Sequence, residues 1–211
     1  MTAPLQPVVG IDFDNTLVTY DALIVDVALE RGLIAAGADR GKRSVRDEIR
    51  RLPDGEIEWQ KLQGVIYGPR MGQAALMPGA GEFIRQCRQR NWPLYIVSHK
   101  TEFAGYDDTR TNLRYAALEW MRAQGFFDSN GLGFLRDQVF FESTRDAKIA
   151  RIRALGCTHF IDDLEEVFNE PCFPKGVQSF LLHRGEGEKP HGPFTAMTGW
   201  NAITEAIFAR V

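Results

Sequence analysis

Val8-Val9-Gly10-Ile11-Asp12-Phe13-Asp14-Asn15-Thr16-Leu17 is the stretch on which the fold turns. A short apolar run, long enough for a buried β-strand, breaks abruptly into two acids one residue apart. In open α/β sheets ligands bind in the crevice beyond the carboxyl ends of the strands. With period-2 geometry Asp12 and Asp14 share a face if the strand continues through them. Two like charges held that close call for a cation or a proton to relieve them. The same residues also read as a solvated turn, with Asn15 and Thr16 forming an Asx-type turn and helix cap.

Two further polar strand tips favour the chemical reading. Leu94-Tyr95-Ile96-Val97 ends in Ser98-His99-Lys100, and Thr158-His159-Phe160-Ile161 ends in Asp162-Asp163. Lys148 lies in a helical stretch just before the latter. Taken singly, Ser98 is a capping hydroxyl and Lys148 a solvated helix lysine; only the constellation makes them functional candidates. Asp163 also reads as the N-cap of a helix starting at Leu164, with Glu166 completing a capping box.

From about Val8 to Val167 these motifs resemble, in order, those of the haloacid dehalogenase (HAD) superfamily of aspartate-nucleophile hydrolases. Asp12-Phe13-Asp14-Asn15-Thr16 is similar to the first motif, Ser98 to the second, Lys148 to the third and Phe160-Ile161-Asp162-Asp163 to the fourth. Met77-Pro78-Gly79-Ala80 resembles the approach to the second motif. The resemblance implies a Rossmann-like three-layer α/β core with a mainly parallel sheet, residues 1–19 and 78–211. A small all-helical cap, residues 20–77, is inserted after the first strand.

The resemblance also implies a chemistry. Asp12 is the expected nucleophile of a phosphatase that passes through an aspartyl phosphate. Asp14 is the expected acid and base, with Thr16 holding it, and Ser98, His99 and Lys148 are expected at the phosphoryl oxygens. His99 and Lys100 follow the second motif together; His99 is the one carried as a substrate-binding candidate. Magnesium is the expected cofactor, held by the hard oxygens of Asp12, Asp162 and Asp163 and by the backbone carbonyl of Asp14. The expected substrate is a small phosphorylated metabolite. Alternatives left open are a phosphosugar mutase, a haloacid dehalogenase, and a catalytically silent module that binds a phosphorylated ligand.

Substrate selection is expected from Tyr67 and Arg70, in the corner Tyr67-Gly68-Pro69-Arg70, and from Tyr106 and Arg110 in the long loop Thr101–Arg110. Lys42, Arg46 and Arg50 make a basic stripe at i, i+4, i+8. It reads as a solvated face.

Composition narrows the class. The 211 residues include 44% hydrophobic and 25% charged side chains, enough for a full core and unlike a disordered chain. A net charge of −3 offers no global field for nucleic acid, and neither a signal peptide nor a membrane span is visible. No nucleic-acid or membrane partner is expected, the expected location is cytoplasmic, and the oligomeric state is left open. Three cysteines without CxxC spacing argue against disulfides and zinc. Cys87 and Cys157 read as small core residues.

Periodicity supplies the remaining elements. Ile24, Val27 and Ala28 keep helical spacing, further helices are expected over Arg43–Arg51 and Ile57–Tyr67, and no strand is expected between Tyr20 and Met77. The stripe Leu113, Ala116, Ala117, Trp120, Met121 reads as a helix packing on the sheet. Beyond it lie a buried strand at Val139–Phe141, a helix at Ala147–Leu155, and strands at His159–Ile161 and Phe180–Leu182. The last strand is tipped by His183 and Arg184 and followed by the loop Gly185–Pro193. A closing helix is expected at Ala202–Ala209.

Overall fold

The computed structural model describes residues 6–37, 41–106, 110–183, 185 and 190–209. Asp107, Asp108 and Thr109 of the long loop, and Arg184 and 186–189 after the last expected strand, lie outside the described residues. The chain divides into two compact units: Met1–Val18, Leu76–Lys100 and Gly125–Val211 form one, and Thr19–Ala75 with Thr101–Gln124 the other.

The first unit is built on a six-stranded sheet. Its strands are β1 (Val9–Ile11), β4 (Leu94–His99), β5 (Val139–Glu142), β6 (His159–Asp162), β7 (Gln178–Leu182) and β8 (Thr195–Met197), in the spatial order β5-β4-β1-β6-β7-β8. Every neighbouring pair runs parallel. Strands buried on both faces read as continuous apolar runs, which is why β1, β4, β6 and β7 stand out in the sequence. The edge strand β5 does not fit that rule: only Val139 is buried and the rest is half-buried. The three-residue β8, also at an edge, carries too little pattern to be legible beforehand.

Helices flank this sheet. In α4 (Ala80–Gln89) and α8 (Trp200–Phe208), the Phe83 and Trp200 rings lie 5.0 Å apart. Val97, Phe160 and Leu181 pack instead with Ile152 of α6 (Arg145–Ala154) and Phe168 of the short α7 (Glu165–Phe168). Gly10 has a packing reason: a Cβ there would lie 2.6 Å from Cδ2 of Phe160. Cys87 and Cys157 are buried, and burial pushes each thiol up to about 12. Cys172 is exposed.

The second unit is helical. It comprises α1 (Asp21–Glu30), α2 (Lys42–Ile49), α3 (Gly55–Tyr67), a 3-10 turn at Met71–Gln73, and α5 (Leu113–Ala123). Here the structure corrects the sequence. The apolar face of α5 is buried, but against α3 and the 3-10 turn, with Trp120 Nε1 donating to the Ala74 carbonyl oxygen at 2.8 Å. A helical stripe states which face is covered and is silent on what covers it. A second correction is β3 (Ala75–Leu76), which pairs with β2 (Val18–Thr19) and falls in the stretch Tyr20 to Met77 where no strand was expected. Two residues cannot display a period. No helix among the described residues is long and apolar enough to cross a membrane.

Candidate active site

The sheet order dictates where a site forms. After β1 the chain next enters the sheet at β4 and continues outward to β5, then returns to lay β6 on the other side of β1. The carboxyl ends of β4, β1 and β6 therefore flank the point where strand order reverses, the place in open α/β sheets where ligands bind. Ser98 lies in β4, Asp12 follows β1 and Asp162 ends β6.

Asp12 still belongs to the ladder, its N–H donating to the Ile161 carbonyl oxygen at 2.9 Å. The chain then turns tightly. Leu17 and Val18 both donate to the Phe13 carbonyl oxygen, and Asn15 adopts φ 59°, a left-handed conformation that asparagine tolerates better than most residues. The turn returns the Thr16 hydroxyl to Asp12, where it donates to Oδ2 at 3.3 Å. Thr16 was expected to hold Asp14; its side chain is instead on Asp12, because the turn folds four residues back onto the strand tip. The Thr16 carbonyl oxygen accepts from Trp200 Nε1 at 3.0 Å, tying the turn to α8.

Lys148 joins the acids. Thr144 caps α6, its hydroxyl accepting from the Ala147 N–H at 3.1 Å, and Lys148 projects from the first turn. Its Nζ lies 2.6 Å from Asp12 Oδ1 and 2.7 Å from Asp162 Oδ2, with its side chain 1% exposed. Burial disfavours the charged ammonium, but Asp12 and then Asp162 outweigh it, and the Lys148 pKa rises above the usual lysine range. Burial likewise pushes Asp162 up, against the pull of Lys148 and with the push of Asp12, to about 7.

Asp162 Oδ1 also accepts from the Leu164 N–H at 3.1 Å. Asp163 does not take its expected capping role: the N-cap of α7 is Leu164, without a side-chain cap bond. Carboxylate oxygens of Asp12, Asp162 and Asp163 lie within 4.8 Å of one another. Lys148 pairs with Asp12 and Asp162 only, so the three acids together leave formal negative charge over, and their hard oxygens suit a cation such as magnesium.

Asp14 has a partner that sequence reasoning passed over. Lys100 Nζ lies 3.0 Å from Asp14 Oδ1 and 2.7 Å from Oδ2, and the lysine is buried. His99, the candidate preferred from sequence, is exposed, with Nε2 3.1 Å from the Ser143 carbonyl oxygen. A carbonyl can only accept, so this bond needs the proton on Nε2. The missed signal was the period of two: Ser98 and Lys100 share a side of the chain and His99 takes the other. Ser98 itself is buried at the strand tip.

The four substrate candidates belong to the helical unit. The Tyr67 ring packs edge-on against Tyr20, and Arg70 pairs with Glu30 at 2.7 Å while donating to Gln73 Oε1 at 2.9 Å. Tyr106 is exposed, and Arg110, also exposed, takes φ 50° at the end of its loop. Among the stripe residues, Arg46 pairs with Asp47 and Arg50 with Glu56, as expected of a solvated face.

No protein-family model matches the chain, and no curated protein matches it. Solved structures do. A HAD family hydrolase from Deinococcus radiodurans R1, with bound phosphate and sodium, aligns over 97% of this chain and 96% of its own at 14% identity and a TM-score of 0.58. A haloacid dehalogenase-like family hydrolase from Streptococcus pneumoniae gives 97% and 98%, 13% identity and a TM-score of 0.60. Protein Tyrosine Kinase A from Mycobacterium tuberculosis gives 96% and 99%, 14% identity and a TM-score of 0.63. With its parallel sheet and the acids at its central strand tips, the chain has the haloacid dehalogenase-like fold.

Proposed function

We propose that the protein is a magnesium-dependent phosphatase that hydrolyses a small phosphorylated metabolite through an aspartyl phosphate on Asp12. The observation that carries this reading is the setting of Asp12: buried at the tip of the central strand, with Lys148 on one carboxylate oxygen and Thr16 on the other. Such bonds hold the carboxylate in one orientation, which a nucleophile needs before it meets phosphorus.

In the first half-reaction an Asp12 oxygen bonds to phosphorus and the ester P–O bond breaks. The leaving oxygen keeps the electron pair and takes a proton from Asp14. In the second half a water oxygen bonds to phosphorus, its proton passes to Asp14, and the Asp12–phosphorus bond breaks. Lys148 and Ser98 answer the charge on the phosphoryl oxygens. A magnesium ion held by Asp12, Asp162 and Asp163, and by the backbone carbonyl of Asp14, would offset the repulsion between the anionic nucleophile and the anionic ester. The Deinococcus radiodurans hydrolase carries phosphate and sodium, the two classes of ligand this reading calls for.

A panel of phosphorylated metabolites and 2-haloacids, assayed with magnesium and with a chelator, tests the proposal. Magnesium-dependent phosphate release supports it. Interconversion without release would replace it with a mutase, halide release that survives chelation with a dehalogenase, and binding without turnover with a silent module.

A further inference from the structure

We propose that Lys100 is a positioning residue for Asp14, setting the orientation in which that carboxylate exchanges its proton with the substrate's leaving oxygen; this rests on the phosphatase reading. The side chain of Lys100 is 3% exposed and that of Asp14 20%. A lysine this deep has surrendered the hydration of its ammonium, a cost that persists only where the charge is answered in good geometry. Asp14 provides the answer, and the Phe13 ring centroid lies 5.6 Å from the same Nζ.

The two ends of this pair are anchored differently. The Lys100 N–H donates to the Glu142 carbonyl oxygen at 2.8 Å, continuing the β4–β5 pairing past His99. Asp14 instead lies in the tight turn after β1, next to the left-handed Asn15. Lys100 is thus rooted in the sheet and reaches both oxygens of a carboxylate rooted in a turn. Two contacts restrain rotation of the carboxylate in a way one contact does not.

That restraint matters for this residue above others. Asp14 gives a proton to the leaving oxygen as the ester bond breaks and recovers one from water as the Asp12–phosphorus bond breaks. Each transfer requires hydrogen-bond reach, about 2.6–3.2 Å between heavy atoms. A misplacement of about 1 Å costs on the order of 100-fold in rate. The two buried lysines accordingly divide the work: Lys148 holds the nucleophile, and Lys100 holds the proton carrier.

The test compares Lys100→Met, Asp14→Asn and the double variant on glycerol phosphate, a poor leaving group, and nitrophenyl phosphate, a good one, in saturating magnesium. Lys100→Met keeps the length and burial of the side chain and removes its charge. It should lower kcat on glycerol phosphate by about 100-fold, lower it on nitrophenyl phosphate by about tenfold or less, and leave KM within about threefold. Added to Asp14→Asn it should change kcat by less than about threefold, because it acts through a group already gone. Equal losses on the two esters, or an undiminished loss in the Asp14→Asn background, would overturn the proposal. Circular dichroism checks folding, and if Lys100→Met does not fold, Lys100→Gln is read by the same criteria. A wild-type protein that releases no phosphate from either ester or from any metabolite in the panel would instead overturn the phosphatase reading, and this inference with it.

Discussion

The ammonium of Lys148 lies 2.6 Å from Oδ1 of Asp12, closing a contact across 136 positions of sequence. The lysine comes from the first turn of α6 and the acid from the tip of β1, and neither is exposed enough for water to take the partner's place. Because the same Nζ reaches Asp162, one cation organises two carboxylates that would otherwise repel.

Removal of that cation should therefore be felt in stability. Lys148→Met strands Asp12 and Asp162 without their partner, and breaking a buried pair in this way costs about 3–5 kcal/mol. Urea unfolding of the metal-free variant measures it. Magnesium should recover part of the loss by supplying positive charge to the same oxygens. A cost under about 1 kcal/mol would mean that the pair is as weak as a surface salt bridge.

Asp12→Asn should abolish turnover with the fold intact. The amide keeps the shape of the carboxylate and loses its nucleophilicity, and loss of a nucleophile costs on the order of 1,000-fold or more. Phosphate release and far-ultraviolet circular dichroism check the two halves of the statement. Retention of more than about a tenth of wild-type activity would reject Asp12 as the nucleophile.

The stabilisation conferred by magnesium should depend on pH. Burial raises Asp162 from its ordinary 3.8 to about 7, so between those values the folded protein holds a proton that the unfolded chain has released. Without metal, this group makes the protein less stable as pH rises through that window, and its penalty is complete above it. Below the window's upper end a proton neutralises Asp162, and a cation must displace it. The magnesium-induced rise in Tm should accordingly be larger at pH 8 than at pH 6. Equal or reversed shifts would contradict the assignment of Asp162 to the cation.

Thiol labelling separates the cysteines. Burial holds Cys87 and Cys157 at about 12, so neither offers thiolate near neutral pH, while Cys172 is exposed. Native protein should react at Cys172 alone, and all three should react in denaturant. Mass mapping of the labelled sites checks this, and prompt native labelling of Cys87 or Cys157 would mean that the core opens readily.

The strand tips were legible because buried parallel strands announce themselves as apolar runs, and an acid ending such a run is conspicuous. That is how Asp12, Asp14, Ser98 and Asp162 came forward in order, and why the HAD-like fold was visible at 12–15% identity to its structural neighbours. Helix faces were legible for the same reason of periodicity. Partners of those faces were not. The α5 stripe states that Leu113, Ala117, Trp120 and Met121 are covered, and only the structure shows α3 and the 3-10 turn covering them.

Sequence by itself determined what depends on local spacing: the alternation of strands and helices, the acids at the strand tips, and the helices that follow the first strand. Tertiary structure alone decided which charges meet. Lys148 on Asp12 and Asp162, Lys100 on Asp14, and Thr16 on Asp12 in place of Asp14 are all set by side-chain reach across turns and between strands. The physical reason is the range of the forces involved. A hydrophobic pattern is written along the chain with the period of its own element, whereas an ion pair depends on distances in space that no spacing in the chain encodes.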